Sequence, residues 1–213
     1  MALVEGNFTS NSVTPAASSY SFPHTQDVGA DGHLVIIIEC PAVTVTAVTY
    51  GGVSMSLARR DTTSYSTDQT VWELDAPPTG SNTVSVTMSG ANFNSVSTIC
   101  YSFTGCNGVG NTSYNNTQST PVTTSVTISA NSMIIGAGIS GSGTGLSIEI
   151  PQGTSRTVDW NNNINNVSFG GISPSLTSGS KTIEANGSAS CVVMAVEVLE
   201  AAAASTRRVI MTV

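Results

Sequence analysis

The sequence carries Val48-Thr49-Tyr50-Gly51-Gly52-Val53-Ser54-Met55-Ser56-Leu57, and a similar phrase, Val167-Ser168-Phe169-Gly170-Gly171-Ile172-Ser173-Pro174-Ser175-Leu176, follows in its second half. An aromatic residue, two glycines and a β-branched residue are typical of a tight β-hairpin, because a two-residue loop needs positive φ and glycine adopts it without steric cost. We therefore predict structural hairpin turns at Gly51–Gly52 and at Gly170–Gly171. Whether one hairpin arose twice within a single sandwich or the two halves descend from a duplication stays open.

Apolar or alternating segments on both sides of these turns predict further strands. Leu34 to Ile38 is apolar on both faces, which is typical of a central strand. Val84, Val86 and Met88 alternate with polar residues, which indicates a half-buried strand. We find no amphipathic helix of three turns. The expected fold is an all-β antiparallel β-sandwich of jelly-roll or immunoglobulin-like type, with about twelve short strands and little or no helix.

The pattern divides the chain into a sandwich and two extended arms. Residues 1–18 lack a hydrophobic period and are predicted to be an N-terminal arm, while residues 19–200 hold the strands. The sandwich could consist of two halves, 19–105 and 121–200, joined by a polar segment. That segment is either a long loop or an edge strand around Thr112 to Thr117.

Residues 201–213 are predicted to be a C-terminal extended arm. A spacer of small residues leads to two arginines and an apolar end. Because an extended apolar tail can add a strand to a neighbour's sheet edge, this end is the predicted assembly arm. Its residues are Arg207, Arg208, Val209, Ile210, Met211 and Val213.

The composition is poor in charge. Only 9% of the 213 residues are charged, against about 25% in an average soluble domain, so solubility rests on hydroxyls and amides. The net charge of −7 argues against nucleic-acid binding, which needs clustered lysine and arginine. No segment approaches the roughly 20 apolar residues of a membrane span. The first residues lack the basic and apolar regions of a signal peptide, and we expect neither a nucleic-acid nor a membrane partner.

No catalytic, metal-binding or cofactor-binding motif is recognisable. The four cysteines form no zinc-type pair. His24 and His33 have neither the spacing of a helix-borne zinc site nor a nucleophile motif beside them. We therefore predict a protein that is not an enzyme, with structural histidines and no cofactor. Trp160, just before three asparagines, is the one aromatic residue in a polar loop and a candidate glycan contact.

A series of short motifs runs from Ser19 to Gly105. They are Tyr20-Ser21-Phe22-Pro23-His24, Leu34–Ile38, Val48–Gly52, Trp72-Glu73-Leu74, Pro77-Pro78-Thr79-Gly80 and Val84-Ser85-Val86. In this order they resemble a family of β-sandwich proteins found among the virion structural proteins of tailed bacteriophages and in bacterial surface proteins. The resemblance covers roughly half of the chain and carries no catalytic residue.

The resemblance implies a non-enzymatic viral structural protein, above all a phage capsid decoration or cement subunit or another virion-surface subunit. Such a protein is made in the host cytoplasm and becomes extracellular as part of the particle. It would assemble through sheet edges and terminal arms with copies of itself and with other capsid or virion proteins, as a homo-oligomer such as a trimer. The alternative is a glycan-binding or adhesin module of a phage tail or a cell surface.

Overall fold

Extended segments pair into antiparallel strands throughout the part of the chain that the structure describes. The computed structural model describes residues 2–27, 31–62, 67–92, 96–119, 121–140, 147–150, 154–156, 167–186 and 191–202. Within these ranges the chain contains no helix, which confirms the all-β prediction, and it contains more strands than the twelve or so expected. No helix in the described ranges could therefore cross a membrane.

The strands follow one another along the chain in this order. They are β1 (Val4–Val13), β2 (Ala17–Gln26), β3 (Gly32–Pro41), β4 (Val45–Tyr50), β5 (Val53–Ser54), β6 (Ser56–Thr62), β7 (Thr67–Asp75), β8 (Gly80–Asn92), β9 (Val96–Thr104), β10 (Cys106–Ser119), β11 (Val122–Ile128), β12 (Met133–Ser140), β13 (Ser147–Glu149), β14 (Thr154–Arg156), β15 (Val167–Ile172), β16 (Gly179–Asn186) and β17 (Cys191–Glu200).

The described strands form four sheets, two from each half of the chain. The first half builds an inner N-sheet, β1-β9-β3-β7-β6, and an outer N-sheet, β2-β8-β4-β5. The second half builds an inner C-sheet, β10-β17-β12-β15-β14, and an outer C-sheet, β11-β16-β13. Every described strand pair is antiparallel. Each half is thus a sandwich of its own.

The two sandwiches pack against each other through their inner sheets. In β3, Leu34 and Ile36 pack with residues of the outer N-sheet such as Val84. The alternate residues of β3, including Ile37, join a central cluster with Met194 of β17. A third cluster fills the space between the inner and outer C-sheets. The order of layers is therefore outer N, inner N, inner C, outer C.

This layering explains why β3 is apolar on both faces. All of Leu34 to Ile38 is buried, with alternate side chains in two different cores. Each fully buried aliphatic side chain contributes about 1.5–3 kcal/mol. The prediction of a central strand is confirmed, and β17 repeats the arrangement in the second sandwich, with Val193 facing the outer C-sheet and Met194 facing the inner N-sheet.

The first Gly-Gly phrase forms the predicted hairpin. Gly51 and Gly52 have φ of 56° and 82°, and both are positive, as a type I′ turn requires. Thr49 pairs with Ser54 and Tyr50 with Val53 across the turn. Tyr50 is buried, and its hydroxyl donates to the carbonyl of Gly80 at 3.0 Å, which fixes the hairpin on the sandwich.

The second Gly-Gly phrase is not a turn, and that prediction is wrong. Gly170 and Gly171 lie inside β15, opposite Ala137 and Gly136 of β12, and neither has positive φ. The reason for glycine is close packing, because a Cβ on Gly170 would lie 3.0 Å from the Cδ1 of Ile99 in the inner N-sheet. The two segments therefore have similar sequences but different structures.

The predicted N-terminal arm is also wrong for most of its length. Val4 to Val13 forms β1, which pairs with β9 at the edge of the inner N-sheet, and β2 already begins at Ala17. The strand is held by backbone pairing and by the bond from Asn7 N to Ser102 Oγ at 2.7 Å. An edge strand held in this way needs little apolar periodicity.

The polar segment between the halves is an edge strand, the second of the two predicted alternatives. It spans Cys106 to Ser119 as β10 and pairs with β17, with register shifts on both sides of Val109. Most of the predicted C-terminal arm, from residue 203 onwards, lies outside the described residues.

Candidate functional site

A polar cavity lies where the inner N-sheet meets the first residues of β10. On β3 and β7 the odd-numbered side chains face the inner C-sheet, and Val35 and Val71 belong to the central cluster. Towards the end of this face the same positions become His33, Glu73 and Asp75. His33 lies opposite Asp75 in the strand pair, and Glu73 lies opposite Val35. Strand periodicity therefore brings one imidazole and two carboxylates together.

Glu73 is the centre of this group. Its Oε2 is 3.1 Å from Nε2 of His33 and accepts the backbone N–H of Val109 at 2.8 Å. The bond to His33 lowers the pKa of Glu73 below its ordinary value of 4.5, while partial burial opposes this and the Val109 bond assists it. Glu73 therefore carries its charge at neutral pH and uses it to hold β10 against β7.

His33 presents a second nitrogen towards Asp75. The residue is 4% exposed, and its Nδ1 is buried without a hydrogen-bond partner. The nearest carboxylate oxygen, Asp75 Oδ1, is 3.7 Å away, and the Asp75 side chain is 85% exposed. When the ring donates from Nε2 to Glu73, Nδ1 is an acceptor that faces another acceptor.

The far wall of the cavity is the start of β10. Gly108 has φ of +100°, and a Cβ there would lie 3.1 Å from Glu73 Oε2, so glycine is required both for the backbone angle and for the approach of the carboxylate. The N–H of Gly108 donates to Cys106 Sγ at 3.3 Å. Burial raises the pKa of the Cys106 thiol to about 12, which keeps this thiol neutral rather than nucleophilic.

Together these residues enclose a cleft of about 410 Å³ that is open to solvent. Its surface is mainly polar, with two carboxylates, one imidazole and one amide. Within the described residues no group of three or more histidine, cysteine or acidic side chains is placed to hold a metal ion. The cleft is suited to a ligand that donates hydrogen bonds and carries positive charge. Its lining consists of His33, Ser56, Glu73, Leu74, Asp75, Asn107, Gly108 and Val109.

A second glutamate, which is fully buried, holds the same strand from the other sandwich. Glu197 of β17 is 1% exposed and accepts the N–H of Asn111 at 2.8 Å and that of Ser129 at 2.6 Å. The hydroxyl of Ser132 donates to it at 3.0 Å. Glu73 and Glu197 therefore bind successive parts of β10, one from each sandwich, where the register shifts release backbone N–H groups from strand pairing.

The structure places the other sequence-derived site residues elsewhere. Gly51 and Gly52 lie at the exposed tip of the β4–β5 hairpin. The candidate glycan contact Trp160 and the assembly-arm residues Arg207 to Val213 lie outside the described residues. His24 is not part of the cleft lining. Its Nδ1 is 2.9 Å from Thr9 Oγ1, and burial lowers its pKa to about 4.

The sequence alone gives one signal for the cleft. Glu73 and Glu197 are acids inside otherwise apolar strands, a position in which a carboxylate needs a hydrogen-bonded partner. The identity of that partner depends on the pairing of β3 with β7 and on the course of β10, neither of which the sequence pattern fixes.

No protein-family model matches the chain, and no match was found among curated proteins or among solved structures.

Proposed function

We propose that this chain is a non-enzymatic structural subunit of a tailed-phage particle, either a capsid decoration protein or another virion-surface subunit. The observation that carries the proposal is the use of three carboxylates that are buried or partly buried. Glu73, Glu197 and Asp68 each accept a backbone N–H, the last from Val45 at 2.8 Å. These three carboxylates thus connect strands within the stacked β-body, which suits a structural subunit.

The outward faces of the outer sheets also support this proposal. On β8, Thr83 and Thr87 point away from a core that holds Val84 and Val86, and on β11, Thr123 and Ser125 are exposed. These faces are rich in hydroxyls, and they carry few charges. Such surfaces make modest contacts that become effective when many copies are arrayed on one particle.

The described edge at β6 has features that limit uncontrolled assembly. Leu57 is 43% exposed there, but a register shift follows it and Arg59 forms an ion pair with Asp61 at 2.6 Å. Bulges and charges at a sheet edge oppose indiscriminate strand pairing. We infer that assembly uses selected edges, the hydroxyl faces and the C-terminal arm.

Co-purification with particles tests this function. Particles from the source culture are purified on a density gradient, and quantitative mass spectrometry measures the ratio of this chain to the most abundant particle protein. The proposal predicts a constant ratio across the particle peak that survives washing at moderate salt. A chain found only in the soluble fractions would contradict it.

Deletion of residues 203–213 separates assembly from the alternative of glycan binding. The variant keeps Ala201, whose N–H donates to the Gly105 carbonyl at 2.8 Å, so the described body is intact. A structural subunit that uses its arm should lose particle association on deletion. A glycan-binding module should instead keep its binding to a glycan array, and a variant that still joins particles normally would show that the arm is not needed.

A further inference from the structure

The C-terminal tail leaves the described structure beside the acidic cleft. Glu200 pairs with Cys106, and the N–H of Ala201 donates to the carbonyl of Gly105 at 2.8 Å. The next residues of the same strand, Asn107 and Gly108, form the wall of the cleft. Ala201 therefore lies one strand spacing, about 5 Å, from the residues that lead into this wall. Because β17 and β10 are antiparallel, a tail that enters the cleft must turn back towards Asn107 and Gly108.

The charge of the cleft region is opposite to that of the tail. Glu73 and Asp75 line the cleft, and two further acids, Asp31 and Glu200, lie on the segments that pair with Gly105 and Cys106. Three of the chain's six lysines and arginines have described partners elsewhere. Arg59 pairs with Asp61, Arg60 pairs with Asp68, and Lys181 donates to Thr177 on the outer C-sheet. The tail contributes Arg207 and Arg208.

The unpartnered nitrogen of His33 adds a chemical requirement. In the neutral tautomer that donates Nε2–H to Glu73, Nδ1 and the Asp75 carboxylate are two acceptors 3.7 Å apart. A guanidinium has five N–H donors and no acceptor, so it complements this arrangement better than an anion or an amide would. The exposed Asp75 carboxylate can accept two parallel N–H bonds from the guanidinium.

The length of the tail permits this contact within one molecule. Arg207 is five residue steps beyond Ala202, and an extended chain spans at most about 3.3–3.6 Å per residue, hence roughly 17 Å. A tether this short holds its end at millimolar effective concentration around the cleft. We propose that the cleft is a guanidinium-binding site whose occupant is the Arg207-Arg208 segment of the same chain, which anchors the base of the arm.

Trypsin cleavage tests the proposal directly, because trypsin cuts after arginine and a docked Arg207-Arg208 segment is protected. Mass spectrometry follows the loss of residues 209–213 from the full chain. We expect Asp75→Asn to accelerate this loss roughly two- to fivefold, the range for a partly exposed ion pair. High salt should accelerate it in the wild type, through screening, and have a smaller effect in the variant.

The matched control is Glu149→Gln, which removes an exposed acid from the outer C-sheet and leaves the cleft unchanged. This variant should be cleaved at the wild-type rate. Equal cleavage rates in the wild type, Asp75→Asn and Glu149→Gln would overturn the proposal, as would equal acceleration in both variants.

Cross-linking identifies the occupant. In the variant R207K/R208K, a carbodiimide joins a lysine to a carboxylate that it contacts, and the native Lys181 serves as an internal reference. The proposal predicts a link from position 207 or 208 to Asp75 or Glu73 within a monomer. Links found only in dimers would overturn the assignment to the same chain, and links spread evenly over exposed acids would overturn the site.

Discussion

Substitution at Gly52 and at Gly170 is restricted for two different physical reasons. Gly52 has φ of +82° and no atom within 4 Å of an added Cβ, so only its backbone angle restricts substitution. Gly170 has no positive φ, but an added Cβ would lie 3.0 Å from Ile99 Cδ1 and 3.3 Å from the carbonyl of Gly136. The local sequence is almost the same at both places. Only the approach of β9 distinguishes them, and a sequence pattern does not contain that information.

Substitution of these glycines should separate the two roles. Gly52→Asn should change the free energy of unfolding by less than about 1 kcal/mol, because asparagine tolerates the left-handed region. Gly170→Ala should lower it by about 1–3 kcal/mol through overpacking. Gly90→Ala, whose nearest neighbour would be Val43 Cγ1 at 3.9 Å, is the control and should be nearly neutral. Urea unfolding measures all three, and a Gly170→Ala protein as stable as the wild type would refute the packing explanation.

The Glu73 carboxylate should make stability depend on pH in the acid range. Glu73→Gln weakens two charge-assisted bonds, to His33 and to Val109, and should cost about 1–2 kcal/mol at neutral pH. Because the folded pKa of Glu73 lies below 4.5, this contribution is complete above 4.5 and is lost as the pH falls through the folded pKa.

Urea unfolding of the wild type and Glu73→Gln between pH 3 and 7 measures this effect. The difference in free energy between the two proteins should be constant near neutrality and should shrink below about pH 4.5. A difference that stays the same down to pH 3 would mean that the carboxylate charge does not support β10. Glu149→Gln, at an exposed position on the outer C-sheet, is the control for loss of a surface charge.

At the scale of the element, β10 is the strand that its own sequence predicts least. Contacts from both sandwiches nevertheless hold it in place. Its sequence is polar and contains Gly108 and Gly110, so periodicity leaves a loop and an edge strand equally open. The structure forms a strand because the backbone pairs with β17 and two glutamates from different sandwiches accept its N–H groups. The long-range partners decide the outcome, which is why the pattern alone does not.

The sequence pattern of β1 likewise does not predict a strand, whereas the patterns of the core strands do. Val4 to Val13 is mostly polar, yet Phe8 packs on Tyr101 with ring centroids 4.8 Å apart and the backbone pairs with β9. Core strands such as β3 and β11 were predictable because burial requires apolar residues at fixed spacing. The cleft was not, since His33 and Glu73 meet only through the register of β3 with β7.

Replacement of Glu197 should destabilise β10. Glu197→Gln puts an amide among three donors, from Asn111, Ser129 and Ser132, at a position that is 1% exposed. We expect a loss of about 2–4 kcal/mol and faster amide exchange in the first half of β10. Glu184→Gln on the half-buried surface of β16 is the control and should have little effect. Unchanged exchange in β10 would contradict the role of Glu197.

At the scale of the whole molecule, the central cluster makes two sandwiches behave as one body. Val35 and Ile37 from the first half and Met194 and Val196 from the second are buried in the same cluster. A shared core of this kind couples the opening of one sandwich to that of the other.

Hydrogen exchange of Ile37→Ala tests this coupling. The substitution should cost about 2–5 kcal/mol and should accelerate exchange in β12 and β17 of the second sandwich as well as in β3. The comparison variant is Ile36→Ala, on the neighbouring position that faces the outer N-sheet, and its effect on β12 and β17 should be smaller. Acceleration confined to the first sandwich in both variants would show that the sandwiches open independently.

The same coupling suits a subunit that keeps its shape on a particle surface and presents hydroxyl-rich faces outward. Antibody labelling of particles and cells from the source culture, viewed by electron microscopy, tests that central claim most directly. The account predicts regular labelling over phage heads or another repeated virion surface. Label on cell envelopes, with bare particles, would contradict it and favour an adhesin.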